Sequence, residues 1–249
     1  MDFGFVLSMA VSAHREHLLA QVIRSIESQT LLPRKVLIYY SKESWHLDPG
    51  WKEPPRVVSS LPLELREVRN IGSCRKYLFT LREYRRCGTP VLLIDDDIVW
   101  RDDVFATLAK AFVELGGLVT TRGWSEFRRV RNHHGDEIID NIAVVAHEID
   151  VPVDVDIANS GWCTLLDPGF VSDGLFEQRL HARYGVRFSD EVFLSAMCAA
   201  PKFVVPIAGR FHTRLDSDFP QWKNATSSNA KLKQLELIRR GTRANGMAQ

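Results

Sequence analysis

Two hydrophobic rhythms alternate along the chain: apolar runs that are unbroken or of period two, and stretches with an apolar residue every three or four positions. Phe3–Val11 is apolar nearly throughout, as an interior strand is, and it exits through Ser12-Ala13-His14-Arg15-Glu16. His17–Gln29 then places Leu18, Val22 and Ile26 on one face, the spacing of an amphipathic helix. Pro33 closes that unit, and Lys35–Tyr40 predicts a second strand ending at Ser41. Strand, helix, strand in that order is a βαβ unit. Ser44–Pro62, rich in proline and holding two tryptophans, reads as irregular surface structure. Leu63–Val68 is a third strand, and Ile71–Arg86 a helix carrying Tyr77, Leu78 and Leu81. Gly88-Thr89-Pro90 breaks that helix.

Val91-Leu92-Leu93-Ile94 follows, too short for a free-standing helix and patterned as a strand covered on both faces. Val104–Leu115 predicts the next helix, stopped by Gly116-Gly117, and Leu118–Thr121 a short strand. Arg122–Asp140 is polar and rich in both charge signs, with Trp124 and Phe127 embedded, and suits either a hairpin or a flap. Ile142–Ile157 alternates apolar and acidic residues late on, as a half-exposed strand does. Asn159–Leu166 is a glycine-marked turn into another buried strand, Asp190–Ala200 a helix with an acidic first turn, and Lys202–Pro206 a final strand. Beyond His212 the chain turns polar and ends in a helix, Asn229–Arg240, and a tail. Alternating strands and helices predict an α/β fold in one unit over 1–215, with 216–249 as a helical extension.

Three carboxylates, Asp95, Asp96 and Asp97, arrive together at the end of the most apolar strand, where open α/β sheets place their ligands. Two carboxylates about 4 Å apart repel by roughly 4 kcal/mol at an effective dielectric of about 20. Folding gains nothing from such crowding, whereas a divalent cation turns it into attraction. The plainer reading is a solvated acidic turn that caps the helix starting near Asp102 and Asp103.

Composition narrows the classes. Apolar content of 45% and charged content of 25% suit a globular protein, and a formal charge of +1 argues against a nucleic-acid binder. No apolar run approaches the roughly 18 residues that span a bilayer, and no secretory leader precedes Phe3–Ala10, so a cytoplasmic location is expected. Peripheral attachment to a membrane surface stays open. Cys74, Cys87, Cys163 and Cys198 are scattered and are expected to be buried thiols.

In order and spacing these pieces resemble the GT-A nucleotide-sugar glycosyltransferases, in particular the inverting family 2 type. Asp95-Asp96-Asp97 is similar to the D-x-D motif, and Asn70-Ile71-Gly72-Ser73-Cys74-Arg75-Lys76 to an element that precedes it in some members. Ser189-Asp190-Glu191-Val192 resembles the later acidic pair, and Phe211-His212 lies where several members place a metal-binding histidine. Departures are Ser41-Lys42-Glu43 where many relatives have a base-contacting aspartate, Asn70 and Ser73 for aspartate and proline, and the order Asp-Glu in the acidic pair.

The resemblance implies a Rossmann-like mixed sheet flanked by helices, a catalytic domain over 1–215 with a nucleotide-binding half over about 1–100 and an acceptor half over about 101–215, and a UDP-sugar or similar donor. It also implies a glycan, lipid-linked or small-molecule acceptor, and Mn²⁺ or Mg²⁺ on the departing diphosphate. Asp97 would be the direct ligand, with Asp95 on ribose or a metal-bound water and Asp96 beside them. His212 would be a further ligand, or else a hydrogen-bonded surface histidine. Lys76 or its rival Arg75 would meet phosphate at a helix start opened by Asn70 and Gly72. Ala13 and Arg15 in the first exit loop, with Ser41, would hold the nucleoside. Glu191, with Asp190 as second choice, would be the base, against a plain acidic first turn worth about 0.3–1 kcal/mol. Gly161 and Trp162 would shape the sugar or acceptor cleft, against an ordinary core tryptophan. Two competing readings keep the same acids. One is a haloacid-dehalogenase-type phosphatase with Asp95 as nucleophile, although that motif normally lies on a first strand; the other is a sugar- or nucleotide-binding protein without chemistry.

Overall fold

The computed structural model describes residues 3–45, 48–131, 137–179, 181 and 190–216. Among them, eight strands form one sheet in the order β3 (Leu63–Glu67), β2 (Lys35–Tyr40), β1 (Val6–Ala10), β4 (Val91–Ile94), β11 (Thr164–Leu166), β6 (Leu118–Thr120), β12 (Lys202–Val204) and β9 (Val153–Asp154). The first four run parallel. β11 is antiparallel to both β4 and β6, so the sheet is mixed and the acid-bearing strand sits where its direction first reverses.

Strand alternation sends the residues of β4 to two separate cores. Leu92 and Ile94 pack with helices α1 (Glu16–Glu27) and α3 (Val104–Leu115) on one face. Val91 and Leu93 pack with α2 (Arg75–Tyr84) and α4 (Asp190–Met197) on the other. All four β4 side chains are at most 1% exposed, which is why an unbroken apolar run was required there. Ser8, fully buried in β1, is the polar exception: its hydroxyl bonds the Lys76 carbonyl and lies 2.7 Å from the Thr80 hydroxyl, pinning α2 to the sheet.

Two smaller sheets complete the frame. The polar stretch after β6 is a hairpin, β7 (Arg122–Arg131) with β8 (Glu137–Val145), joined by β10 (Ile157–Ala158). β5 (Ile98–Trp100) pairs antiparallel with β13 (His212–Arg214), a strand whose His-Thr-Arg sequence carries no apolar signal. The single strand expected over Ile142–Ile157 is instead the end of β8, a tight turn at Ala146–Glu148, β9 and the start of β10. Its backbone groups are spent on different neighbours in turn, Ala146 N–H to Thr121, Val155 N–H to Lys202 and Asp156 N–H to Trp124. Pro152 interrupts any continuous ladder between them.

Cys74, Cys163 and Cys198 are buried as expected, but Cys87 is exposed. Among the described residues no helix is long and apolar enough to cross a membrane. The expected helix Asn229–Arg240 and nearly all of the 216–249 extension lie outside the described residues, as does Ser189.

Replacing Leu93 by alanine should cost about 2–5 kcal/mol in urea unfolding, whereas Val58→Ala, at a side chain 96% exposed, should shift stability by less than about 0.5 kcal/mol. Equal effects would contradict the placement of β4 between two cores.

Candidate functional site

Beyond Ile94 the strand ends and the three carboxylates turn apart. The Asp95 N–H donates to the Gly161 carbonyl at 3.2 Å, tying the end of β4 to the turn that precedes β11. A side-chain carbon at Gly161 would overlap the Asp95 carboxylate, so glycine there makes room for the acid. The Asp95 Oδ1 atom accepts from Lys76 Nζ at 2.8 Å. That ammonium, 4% exposed, also lies 3.1 Å from Asp190 Oδ2 at the start of α4. Asp190 Oδ2 further accepts from the Ser160 hydroxyl at 2.8 Å. Burial alone would pull the Lys76 ammonium down, but Asp190 and then Asp95 outweigh it and hold it above the ordinary lysine range. Burial likewise pushes the Asp190 carboxyl up, and Lys76, with a hydrogen bond shared with Glu191 and one donated by Ser160, brings it below the ordinary range.

Asp96 and Asp97 face a different cation. Arg15 Nη1 lies 2.7 Å from Asp96 Oδ1, its Nη2 3.2 Å from Asp97 Oδ2 and its Nε 3.0 Å from Asp216. Simple alternation would pair Asp95 with Asp97; the turn after β4 instead gathers Asp96 with Asp97 and leaves Asp95 to Lys76. Arg214, at the end of β13, donates to Asp97 from Nε and Nη2, both at 3.2 Å, and the Leu215 N–H donates to the Asp97 carbonyl. Burial pushes the Asp97 carboxyl up to about 6, with Asp95 and Asp96 adding to the rise and Arg15 and Arg214 opposing it. Asp102 and Asp103 do lead into α3, but the triad does not share that capping turn: Asp96 and Asp97 point inward and are buried.

The remaining expected residues are bound into the walls. Gly72 has φ 71°, a left-handed conformation that favours glycine and starts the turn into α2. Asn70 donates to Glu43 and to Asp48, and its carbonyl oxygen accepts the Gly72 N–H. Arg75 pairs with Asp48 at 2.9 Å, and the Ala13 N–H donates to the same carboxylate at 3.1 Å. The Ser41 hydroxyl accepts the Glu43 N–H. Asp48 thus joins three loops; it lies in the stretch read as irregular, where a lone aspartate gives no signal. Arg214 on the polar strand β13, Asp216 beyond it and Ser160 in the turn before β11 carry no local signal either.

Trp162 is half-buried, its ring edge-on to His212 at 4.5 Å between centroids and 4.7 Å from the Arg122 guanidinium. Cys163 beside it has φ 52°, an unusual conformation for a residue with a side chain, at the bend that starts β11. Burial, then His147, Arg210 and Arg122, pull the His212 pKa down to about 4, so its imidazole is neutral at physiological pH. Its Nδ1 is buried with no hydrogen-bond partner. Glu191, next to Asp190, is half-buried.

Carboxylate oxygens at Asp95 and Asp97 and a neutral imidazole are donor types suited to Mn²⁺. Among the described residues, however, no three His, Cys, Asp or Glu side chains are grouped as a metal cage, and Asp97 is engaged by two guanidinium groups. The chain matches no protein-family model and no curated protein sequence. The functional reading therefore rests on this geometry.

Lys76→Met should destabilise the fold by about 3–5 kcal/mol, because Asp190 is left buried and unpaired, and adding Asp190→Asn should recover part of that loss in urea unfolding. No recovery would show that the two side chains do not share the pair.

A carboxyl raised in the folded state favours folding at low pH and loses that contribution as pH rises through the folded value. As pH climbs from 3.8 through about 6, stability should therefore shift from wild type toward Asp97→Asn, by on the order of 2–3 kcal/mol. Parallel stability curves for the two proteins would argue against a raised Asp97.

Proposed function

We propose that this chain is an inverting nucleotide-sugar glycosyltransferase of the GT-A type, taking a UDP-sugar or similar donor. One observation carries the reading: Lys76, Asp95 and Asp190, from three separate motif-like stretches, meet through one ammonium at 2.8 and 3.1 Å. Nothing in a folding pattern alone requires residues 76, 95 and 190 to converge at the carboxyl end of a central strand. The open mixed sheet with helices on both faces supports the same reading.

In this reading the acceptor hydroxyl attacks the anomeric carbon as the bond to the diphosphate breaks. The hydroxyl proton passes to Glu191 and the electron pair leaves with the diphosphate. Asp190 is held by Lys76 and Ser160 as well as by Glu191, so Glu191, the more exposed of this hydrogen-bonded pair, would take the acceptor proton once it is ionised. Lys76, fully enclosed, fixes Asp95 and α4 rather than reaching phosphate. Arg15 and Arg214 keep the other two acids compensated. To hold a Mn²⁺ or Mg²⁺ ion, Asp95 would have to part from Lys76 and Asp97 from Arg15 and Arg214, and the ion when bound would supply charge neutralisation for the departing diphosphate. Direct displacement inverts the anomeric centre.

Calorimetry with UDP and Mn²⁺, followed by a screen of UDP-sugars for slow hydrolysis and transfer, tests the proposal. Glu191→Gln should keep UDP affinity and lose about 10²–10⁴-fold in turnover. Loss with Asp190→Asn alone would move the base. Cleavage of simple phosphate esters would favour the phosphatase, and binding without turnover a non-catalytic role.

A further inference from the structure

The cations of this site have carboxylate partners, with one exception. Arg15, Arg75, Lys76 and Arg214 each pair with an aspartate. Arg122, at the start of β7, instead has its guanidinium over two indoles, 4.7 Å from the Trp162 ring centroid and 5.7 Å from that of Trp124. Its Nε is buried without a hydrogen-bond partner, and no carboxylate among the described residues pairs with it. Glu148 and Glu191 act on its charge only through space, and Arg214 opposes it. Two guanidinium groups thus face this wall, and only Arg214 is neutralised by a bonded acid.

The Arg122 guanidinium carbon lies over both indole rings, a contact that meets its charge in part and satisfies none of its N–H donors. A planar fork of donors matches the paired oxygens of phosphate or carboxylate. Position decides which substrate brings them. Trp162 follows Gly161, which contacts Asp95, and Glu191 is the carboxylate assigned to the acceptor proton. Trp124 packs with Ile157 and with Val192, the residue that follows Glu191, so an anion seated on Arg122 would lie on the side of that base.

We propose that Arg122, lying over Trp124 and Trp162, anchors a phosphate or carboxylate carried by the acceptor; the word acceptor rests on the transferase reading above. A guanidinium that merely filled space between two indoles would be replaced by glutamine without loss of any ligand.

The full chain is titrated with sn-glycerol 3-phosphate and with glucuronate, with glycerol and glucose as neutral controls. Proton–nitrogen spectra follow the indole N–H signals of Trp124 and Trp162, assigned with Trp124→Phe and Trp162→Phe. At least one anion should shift both signals and the neutral compounds neither. Arg122→Gln should weaken that anion by about tenfold or more, and Arg122→Lys, which keeps the charge without the fork, by less. Arg122→Lys also serves if the glutamine variant does not fold. Silence of both signals toward both anions, or equal affinity in Arg122→Gln, overturns the proposal. UDP with Mn²⁺ should bind wild type and Arg122→Gln alike, and neither should prefer UDP-glucuronate to UDP-glucose. A loss of UDP affinity, or of such a preference, in Arg122→Gln would assign the guanidinium to the donor and overturn the acceptor assignment. Failure of the wild type to bind UDP sinks the transferase reading separately, leaving the anion titration to decide whether Arg122 is a site.

Discussion

One buried ammonium organises this molecule. Lys76 sits between the end of the central strand and the start of α4, and each of the carboxylates it touches belongs to a different part of the fold. Removing an ion from water is costly, and only close, well-satisfied partners offset it. The Ser160 hydroxyl on Asp190 and the Ser8 hydroxyl on the Lys76 backbone provide that satisfaction, so the charge network and the packing of α2 are set together.

Around that centre the acids are compensated by fixed side chains. Asp96 and Asp97 share Arg15, Asp97 adds Arg214, and Asp48 takes Arg75. Crowding of like charge at the strand end is therefore offset by fixed cations, so a ligand that displaced one of them would change the balance of the whole cluster. Asp95 is the member left partly open, with its side chain 36% exposed. The neighbouring wall of Arg122, Trp162 and His212 is polar at its edges and aromatic at its faces. Such a surface suits a ligand that is both ring-shaped and charged.

What could be read from the sequence follows from how locally each feature is encoded. The spans of β2 and α3 were legible to the residue, because each is an apolar rhythm with a clear stop, the polar Ser41-Lys42 after one and Gly116-Gly117 after the other. The triad was legible as an acidic end to a buried strand, and Lys76 and Asp190 as positions in motif-like stretches. Where their charges go was not: a salt bridge between residues 76 and 190 has no local periodicity. Asp48 and Arg214 illustrate the limit, one in an irregular stretch and the other on a strand of three polar residues. Ile142–Ile157 misled because alternation inherited from several short neighbours looks like one strand.

The pairing of β5 with β13 has a consequence for the order of assembly. Arg15, in the turn after β1, and Asp216, just beyond β13, stand 201 positions apart. Contacts of such span close late, after the intervening chain has collapsed. During synthesis the parallel half of the sheet can form while its aspartates still lack Arg214. The acidic pocket matures electrostatically only when the β13 segment emerges and docks.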